Sequence, residues 1–169
     1  AGFTQSIATV DELAQFGARH VRTVRSTEQV VADLALAKEL DCPGGSRWLR
    51  IASLRLDDTP KARPICWTEV YVDAAFSDID QLVRESPQTL ISSLIETRYG
   101  RAIARIRQEV DAISMPAQLA AVLQAEVGSP ALRITRRYFD ATGALLEISR
   151  SIHPANRFTF LMEMSRSRE

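Results

Sequence analysis

The chain has 169 residues, 46% of them hydrophobic and 25% charged, which fits one globular domain with a real core. Lys plus Arg equal Asp plus Glu at 21 each, so the net charge is zero, and this balance argues against a direct grip on nucleic-acid phosphates. No apolar run reaches bilayer length, no signal peptide opens the chain, and Cys42 and Cys66 form no C-x-x-C motif, so a reducing cytoplasm is the expected compartment.

Residues 1–20 read as a leader. Within it, TVDELAQFGA (9–18) sets Val10, Leu13 and Phe16 at helical spacing, with Thr9 and Glu12 in a capping-box pattern. HVRTVRST (20–27) is β-branched and alternating, which predicts a strand. TEQVVADLALAKELD (27–41) has apolar residues at 30, 31, 34, 37 and 40 and predicts a helix, stopped by Pro43, Gly44 and Gly45. SRWLRIASLRLDD (46–58) and PICWTEVYVD (64–73) predict a strand and its return. TLISSLIETRYG (89–100) is an amphipathic helix with Leu90, Ile91, Leu94 and Ile95 inward and Gly100 as its C-cap. RAIARIRQEVDAI (101–113) alternates as a strand, and MPAQLAAVLQAEVG (115–128) predicts a helix opened by Pro116. Residues 130–164 hold three strands, turned at Thr142-Gly143 and at Pro154-Ala155-Asn156. Short turns require antiparallel neighbours. The expected class is therefore α+β, with helices packed on a curved antiparallel sheet.

Little in the sequence suggests catalysis. There is no G-x-S-x-G, no Walker loop and no G-x-G-x-x-G. The two histidines, His20 and His153, supply metal chemistry poorly, and no metal or cofactor is expected. All basic residues but Lys38 and Lys61 are arginines; this suits bidentate recognition of carboxylate or phosphate and equally fits a biased genome composition. Asp57-Asp58 reads either as paired carboxylates or as a solvated turn. His153 reads either as a general base or as the close of a strand before a proline turn. The strand ending at Pro154 poses a sharper question, because Glu147, Ser149, Ser151 and His153 all share one face. Ser53 and Arg55 share a face with Ile51, and Trp67, Glu69 and Tyr71 share a face with Ile65. These are either solvent faces of a half-exposed sheet or the mixed apolar and polar walls of a small-molecule pocket.

The ordered segments ADLALAKELDCPGG, ASLRLDD, WTEVYV, SSLIETRYG, RIRQEVDAI, LQAEVGSPAL, RRYFDATGALLE, HPANRFTF and LMEMSR carry a resemblance. Together they resemble the UTRA effector-binding domain of GntR-type bacterial transcriptional regulators of the HutC subfamily, over residues 20–166. The resemblance implies a chorismate-lyase-like fold, a curved antiparallel sheet of about six strands. It implies a domain spanning 19–169, with 1–18 as the end of a linker from a winged helix-turn-helix DNA-binding domain not contained in this chain. The implied partners are a small-molecule effector and a second copy of the chain, with DNA reached through the other domain and no membrane. An enzyme is not expected; a chorismate-lyase-like enzyme and a dimerisation module with a degenerate pocket are the alternatives.

In sugar-phosphate-sensing members two arginines of an R-L-R motif hold an anionic group. Here the second is Arg55 and the first is Ser53. The family's next-strand Glu matches Glu69, and its Ser and Tyr at a helix start fall on Leu90 and Ser92. The hairpin Glu matches Glu147, and the following Tyr falls on His153. The implied effector-binding set is Arg55, Glu147, His153, Ser92, Glu69, Trp67, Ser53 and Ser149, with Trp67 and Tyr99 as candidate walls. One retained arginine leads to the expectation of an effector smaller and less anionic than a sugar phosphate.

Overall fold

The computed structural model of the protein describes residues 3–6, 21–57, 59–61 and 63–166. The expected helix over 9–18 lies outside these residues, as does Asp58. The strands are β1 (Phe3–Ser6), β2 (Val21–Val31), β3 (Arg47–Leu56), β4 (Pro64–Asp73), β5 (Arg105–Ser114), β6 (Pro130–Phe139), β7 (Leu145–Pro154) and β8 (Phe158–Leu161). The helices are α1 (Leu34–Leu40), α2 (Ile79–Glu85), α3 (Ile91–Tyr99) and α4 (Ala117–Ala120). Six strands form one sheet in the order β2-β3-β4-β7-β6-β5, antiparallel at every step. β1 lies parallel to β8 in a separate pair. The expected α+β class and six-stranded antiparallel sheet are what the chain forms.

Register decides which residues meet. Ser53 lies opposite Thr68, Thr68 opposite Ser151, and Ser149 opposite Arg136. Side chains alternate across a strand. One face therefore collects the odd residues of β3 and β7 with the even residues of β4 and β6. On this face Ile51, Val70 and Ile134 are buried with Ile79 and Val83 of α2 and Ile91 and Ile95 of α3, each worth roughly 1.5–3 kcal/mol. The opposite face is covered at one end by Ala37 and Leu40 of α1 against Trp48, Tyr71 and Ile148. Its other end carries Met115, Ala120 and Leu123 against Leu54 and Ala131.

Two helices differ in extent from expectation, and one further helix is present. The helix expected over 27–41 is strand as far as Val31, and α1 begins only at Leu34. The β-branched Thr27, Val30 and Val31 extend β2 along β3 to Arg47, and Asp33 caps the helix by accepting from the Leu36 amide. The helix expected over 115–128 shortens to α4. Gln124 turns left-handed at φ 52°, and the Arg157 guanidinium donates to the carbonyls of Leu123 and Gln124, satisfying the end of the turn early. α2 is the additional helix; Ile79, Leu82 and Val83 carry its helical spacing.

Two turns keep their expected chemistry. Gly100 closes α3 in the left-handed region at φ 65°. In the β6–β7 turn, Asp140 Oδ1 accepts from the Thr142 amide, the Thr142 hydroxyl and the Ala144 amide at 2.7–3.0 Å, and Gly143 has φ 86°.

Candidate functional site

The polar row on β7 faces inward. Glu147, Ser149, Ser151 and His153 are all buried, and they line a cavity of about 60 Å³ beneath the start of α3. β3 contributes Ser53 and Arg55, β4 contributes Cys66, Thr68 and Val70, and β6 contributes Arg136 and Tyr138. Leu90, Ile91 and Ser92 form the roof, Phe158 closes one side, and Arg22 enters from β2.

The cavity is electropositive. Three guanidiniums, Arg22, Arg55 and Arg136, share it with one carboxyl, Glu147, and all four are buried. Arg22 sits opposite Arg55 on the neighbouring strand. Burial, and then the nearby Arg55 charge, lowers the Arg22 pKa to about 10. Burial likewise lowers Arg55, with Cys66 and Tyr138 opposing. The Glu147 carboxyl is pushed up to about 8 by burial, although Arg22 and Arg136 pull the other way. Burial and the Glu147 charge push Tyr138 up to about 12. Burial also raises the Cys66 thiol, against the pull of Arg55.

Most polar groups are held in place. Arg136 Nε donates to Gln108 Oε1 at 2.7 Å, reaching across to the edge strand β5. His153 Nε2 and Ser151 Oγ are 3.1 Å apart, and the imidazole packs on Phe158 with centroids 4.3 Å apart. Arg22 acts as a clasp on the connection between α2 and α3. Its guanidinium donates to the carbonyls of Val83 (3.0 Å), Ser86 (2.8 Å) and Thr89 (2.7 Å), and its backbone amide donates to Pro87. Arg22 Nε, a donor, and Glu147 Oε1, an acceptor, are buried without a hydrogen-bond partner among the described residues. Leaving such groups unpaired costs about 1–3 kcal/mol each.

Of the residues singled out in the sequence, Arg55, Glu147, His153, Ser92, Ser53 and Ser149 line this one cavity. Trp67 and Glu69 do not. They project to the opposite face, where Arg50 donates to Glu69 Oε1 at 2.6 Å and Trp67 Nε1 lies 3.4 Å from the same oxygen. The reason is register: odd residues of β3 stand over even residues of β4, so Trp67 and Glu69 cannot share the face of Arg55. Tyr99 also stays outside, stacked on Phe76 at 4.6 Å and accepting from the Asp78 amide. Asp57 spends its carboxylate on the turn, accepting from the Thr59 hydroxyl and the Arg63 amide. Arg22, Arg136, Cys66, Thr68 and Tyr138 were not singled out. Alternation alone says that one of Arg136 and Arg137 faces each way; only the pairing of Arg136 with Ser149 says which. Among the described residues no group of three or more His, Cys, Asp or Glu is placed to hold a metal ion, and no helix is long and apolar enough to cross a membrane.

A family profile described as "UTRA domain" matches residues 15–159. No curated protein matches the chain. Solved structures do. The effector domain of PhnF from Mycobacterium smegmatis superposes with a TM-score of 0.78 at 21% identity, over 97% of this chain and 100% of that one. A GntR-family transcriptional regulator from Bacillus cereus gives 0.73 at 18% identity, over 87% and 99%. One from Enterococcus faecalis gives 0.70 at 19% identity, over 85% and 99%. At these identities the structures establish a shared fold.

Proposed function

We propose that this chain, which belongs to the UTRA domain family, is the effector-sensing part of a GntR-type bacterial transcriptional regulator and binds a small anionic metabolite in the cavity under α3. One observation carries the reading: three buried guanidiniums from three different strands line one cavity together with a single carboxyl. Fixed positive groups away from water favour an anion, and guanidiniums suit its oxygens. This replaces the expectation of a less anionic ligand, which counted Arg55 alone. A cavity of about 60 Å³ favours a ligand well below drug size. The orphaned Arg22 Nε and Glu147 Oε1 add a second criterion. The ligand that satisfies both is an acid that also carries a donor, such as a hydroxyl or an ammonium.

The ordered sequence motifs support assignment of the parent regulator to the HutC group. Residues 1–18 are read as the end of the linker to its DNA-binding domain, and the domain acts as a dimer. Ligand binding engages Arg22 and thereby the α2–α3 connection and the start of β2, which follows the linker segment. An effector shifts the arrangement it binds better. The site is read as binding without turnover, so chorismate incubated with the chain should remain unchanged.

Calorimetric titration with matched acids tests the reading: succinate, malate and aspartate; acetate, glycolate and glycine; and inorganic phosphate. The donor-bearing acid should bind at least about tenfold more tightly than its plain partner. Arg55→Met and Arg136→Met should abolish binding while leaving the fold intact. No binding by any anion of the panel would refute the effector reading.

A further inference from the structure

We infer that Gln108, a residue behind the cavity wall, sets the geometry in which the cavity takes a carboxylate: it holds Arg136 so that the two terminal nitrogens, and not Nε, meet the ligand. The inference rests on the effector reading above and adds to it the pose of the acid and the residue that enforces that pose.

A guanidinium has two edges that can fork a carboxylate. One joins Nε to a terminal nitrogen, and the other joins Nη1 to Nη2. Hydrogen bonds in the fold decide which edge each arginine presents. Arg136 Nε donates to Gln108 Oε1 at 2.7 Å, so its side edge is taken and its Nη1/Nη2 end is the fork left for a ligand. Arg22 is the reverse case. Its Nη1 donates to the Thr89 carbonyl and its Nη2 to those of Val83 and Ser86. That commits the terminal end to backbone and leaves the buried Nε without a partner among the described residues. Arg136 therefore offers a two-point fork and Arg22 a single N–H. The carboxylate of the ligand belongs at Arg136, and Arg22 supplies one further hydrogen bond.

Gln108 is placed for this task. It stands opposite Arg136 on the edge strand β5, between Ile106 and Val110 on the same face. An apolar residue would continue that face, but it could not accept from Nε. The neutrality of the amide matters as well. A carboxylate at 108 would orient the guanidinium and also offset the charge that attracts the anion, whereas an amide orients it and leaves the charge intact. Arg136 also hydrogen-bonds the Tyr138 hydroxyl, which Ser149 shares, and Tyr138 lies opposite Glu147 on β7. Arg136 is thus held from both sides, by a fixed amide behind it and by a hydroxyl that can turn.

The test is nitrogen-edited NMR and calorimetry of the whole chain with malate as the probe. The arginine signals are assigned by their loss in Arg136→Met and Arg22→Met. In the parent chain saturating malate should move the Arg136 Nη signals and the Arg22 Nε–H signal, and leave the Arg136 Nε–H signal in place. Gln108→Leu opens the side edge. Malate should then move Arg136 Nε–H, and its affinity should fall at least about tenfold, with Tm within about 3 °C of the parent. Gln108→Glu keeps an acceptor of the same reach, so Arg136 Nε–H should again stay in place at saturating malate. Malate that moves Arg136 Nε–H in the parent or in Gln108→Glu would overturn the assignment and leave the effector reading standing. So would a Gln108→Leu chain that binds malate within about twofold of the parent, or one that loses affinity with no change at Arg136 Nε–H. A parent chain that does not bind malate would overturn the assignment too, and the effector reading falls with it only if the other acids and phosphate also fail to bind.

Discussion

Glu147→Gln should reverse part of the acid–base dependence of folding. In the folded chain burial raises the Glu147 carboxyl from 4.5 to about 8. The folded-state value lies above the unfolded one, so the fold prefers the neutral acid. The stability this residue allows is then complete below about pH 4.5, falls as the pH rises, and is lost above about pH 8. The rise from 4.5 to about 8 is worth ~5 kcal/mol at alkaline pH and ~3 kcal/mol at neutrality. Glutamine has nearly the same shape and never ionises, so the variant escapes this loss. Urea unfolding of both chains from about pH 5 to about pH 9 measures it, with the difference between variant and parent removing every other titrating group. Near pH 5 the two should agree to within ~1 kcal/mol. Near pH 9 the variant should be more stable by ~3–5 kcal/mol, equivalent to ~10 °C in Tm for a domain of this size. A difference that stays flat to within ~1 kcal/mol across that range would show that Glu147 is not a buried acid held against arginines, and the electrostatic account of the cavity would fail with it.

Three further outcomes follow from the geometry. Arg22→Met removes the guanidinium that donates to the Val83, Ser86 and Thr89 carbonyls; it should cost ~2–4 kcal/mol and speed amide exchange across 83–91, and unchanged exchange there would refute the clasp. Glu69→Gln breaks a half-buried pair with Arg50 on the far face; it should cost at most ~1 kcal/mol and leave anion affinity within about twofold, and a larger loss of affinity would contradict the facing assigned to β4. Gly143→Ala meets nothing within 4 Å but must adopt φ 86°; it should lower stability by ~1–2 kcal/mol through backbone strain alone, and an unchanged melting temperature would remove that explanation.

Alternation made the long strands legible, and β4 runs over the ten residues the sequence marked, Pro64–Asp73. It also made the row from Glu147 to His153 visible as one face, since a period of two needs no partner strand to be read. Alternation could not say which faces of different strands come together. That depends on register, which is fixed by turns and bulges at a distance. Residue type and parity group Trp67 and Glu69 with Arg55, and one step of register at the β3–β4 turn sends them to the other side. Arg136 was passed over for the same reason. Helix limits failed where a tertiary partner outvoted local pattern: β3 captured Val30 and Val31 into the sheet, and Arg157 ended α4 early. Arg22 left no local signal at all, because its partners lie more than sixty residues away at Val83, Ser86 and Thr89.

The residues that define the cavity are also those that strain the fold. Burying three guanidiniums beside one acid lowers the Arg22 and Arg55 pKa values, and burial raises that of Glu147, so every shift marks a charge the fold disfavours. An apolar lining of the same volume would be more stable. A bound anion offsets this cost where it arises, by pairing with the guanidiniums. If it also donates to Glu147, it restores the carboxylate and releases a proton. Binding of a donor-bearing acid near neutral pH should therefore be accompanied by proton release, visible as a dependence of the calorimetric enthalpy on the ionisation heat of the buffer. In Glu147→Gln that dependence should vanish. Affinity and instability would then have one electrostatic origin, and a buffer-independent enthalpy in the parent chain would separate them.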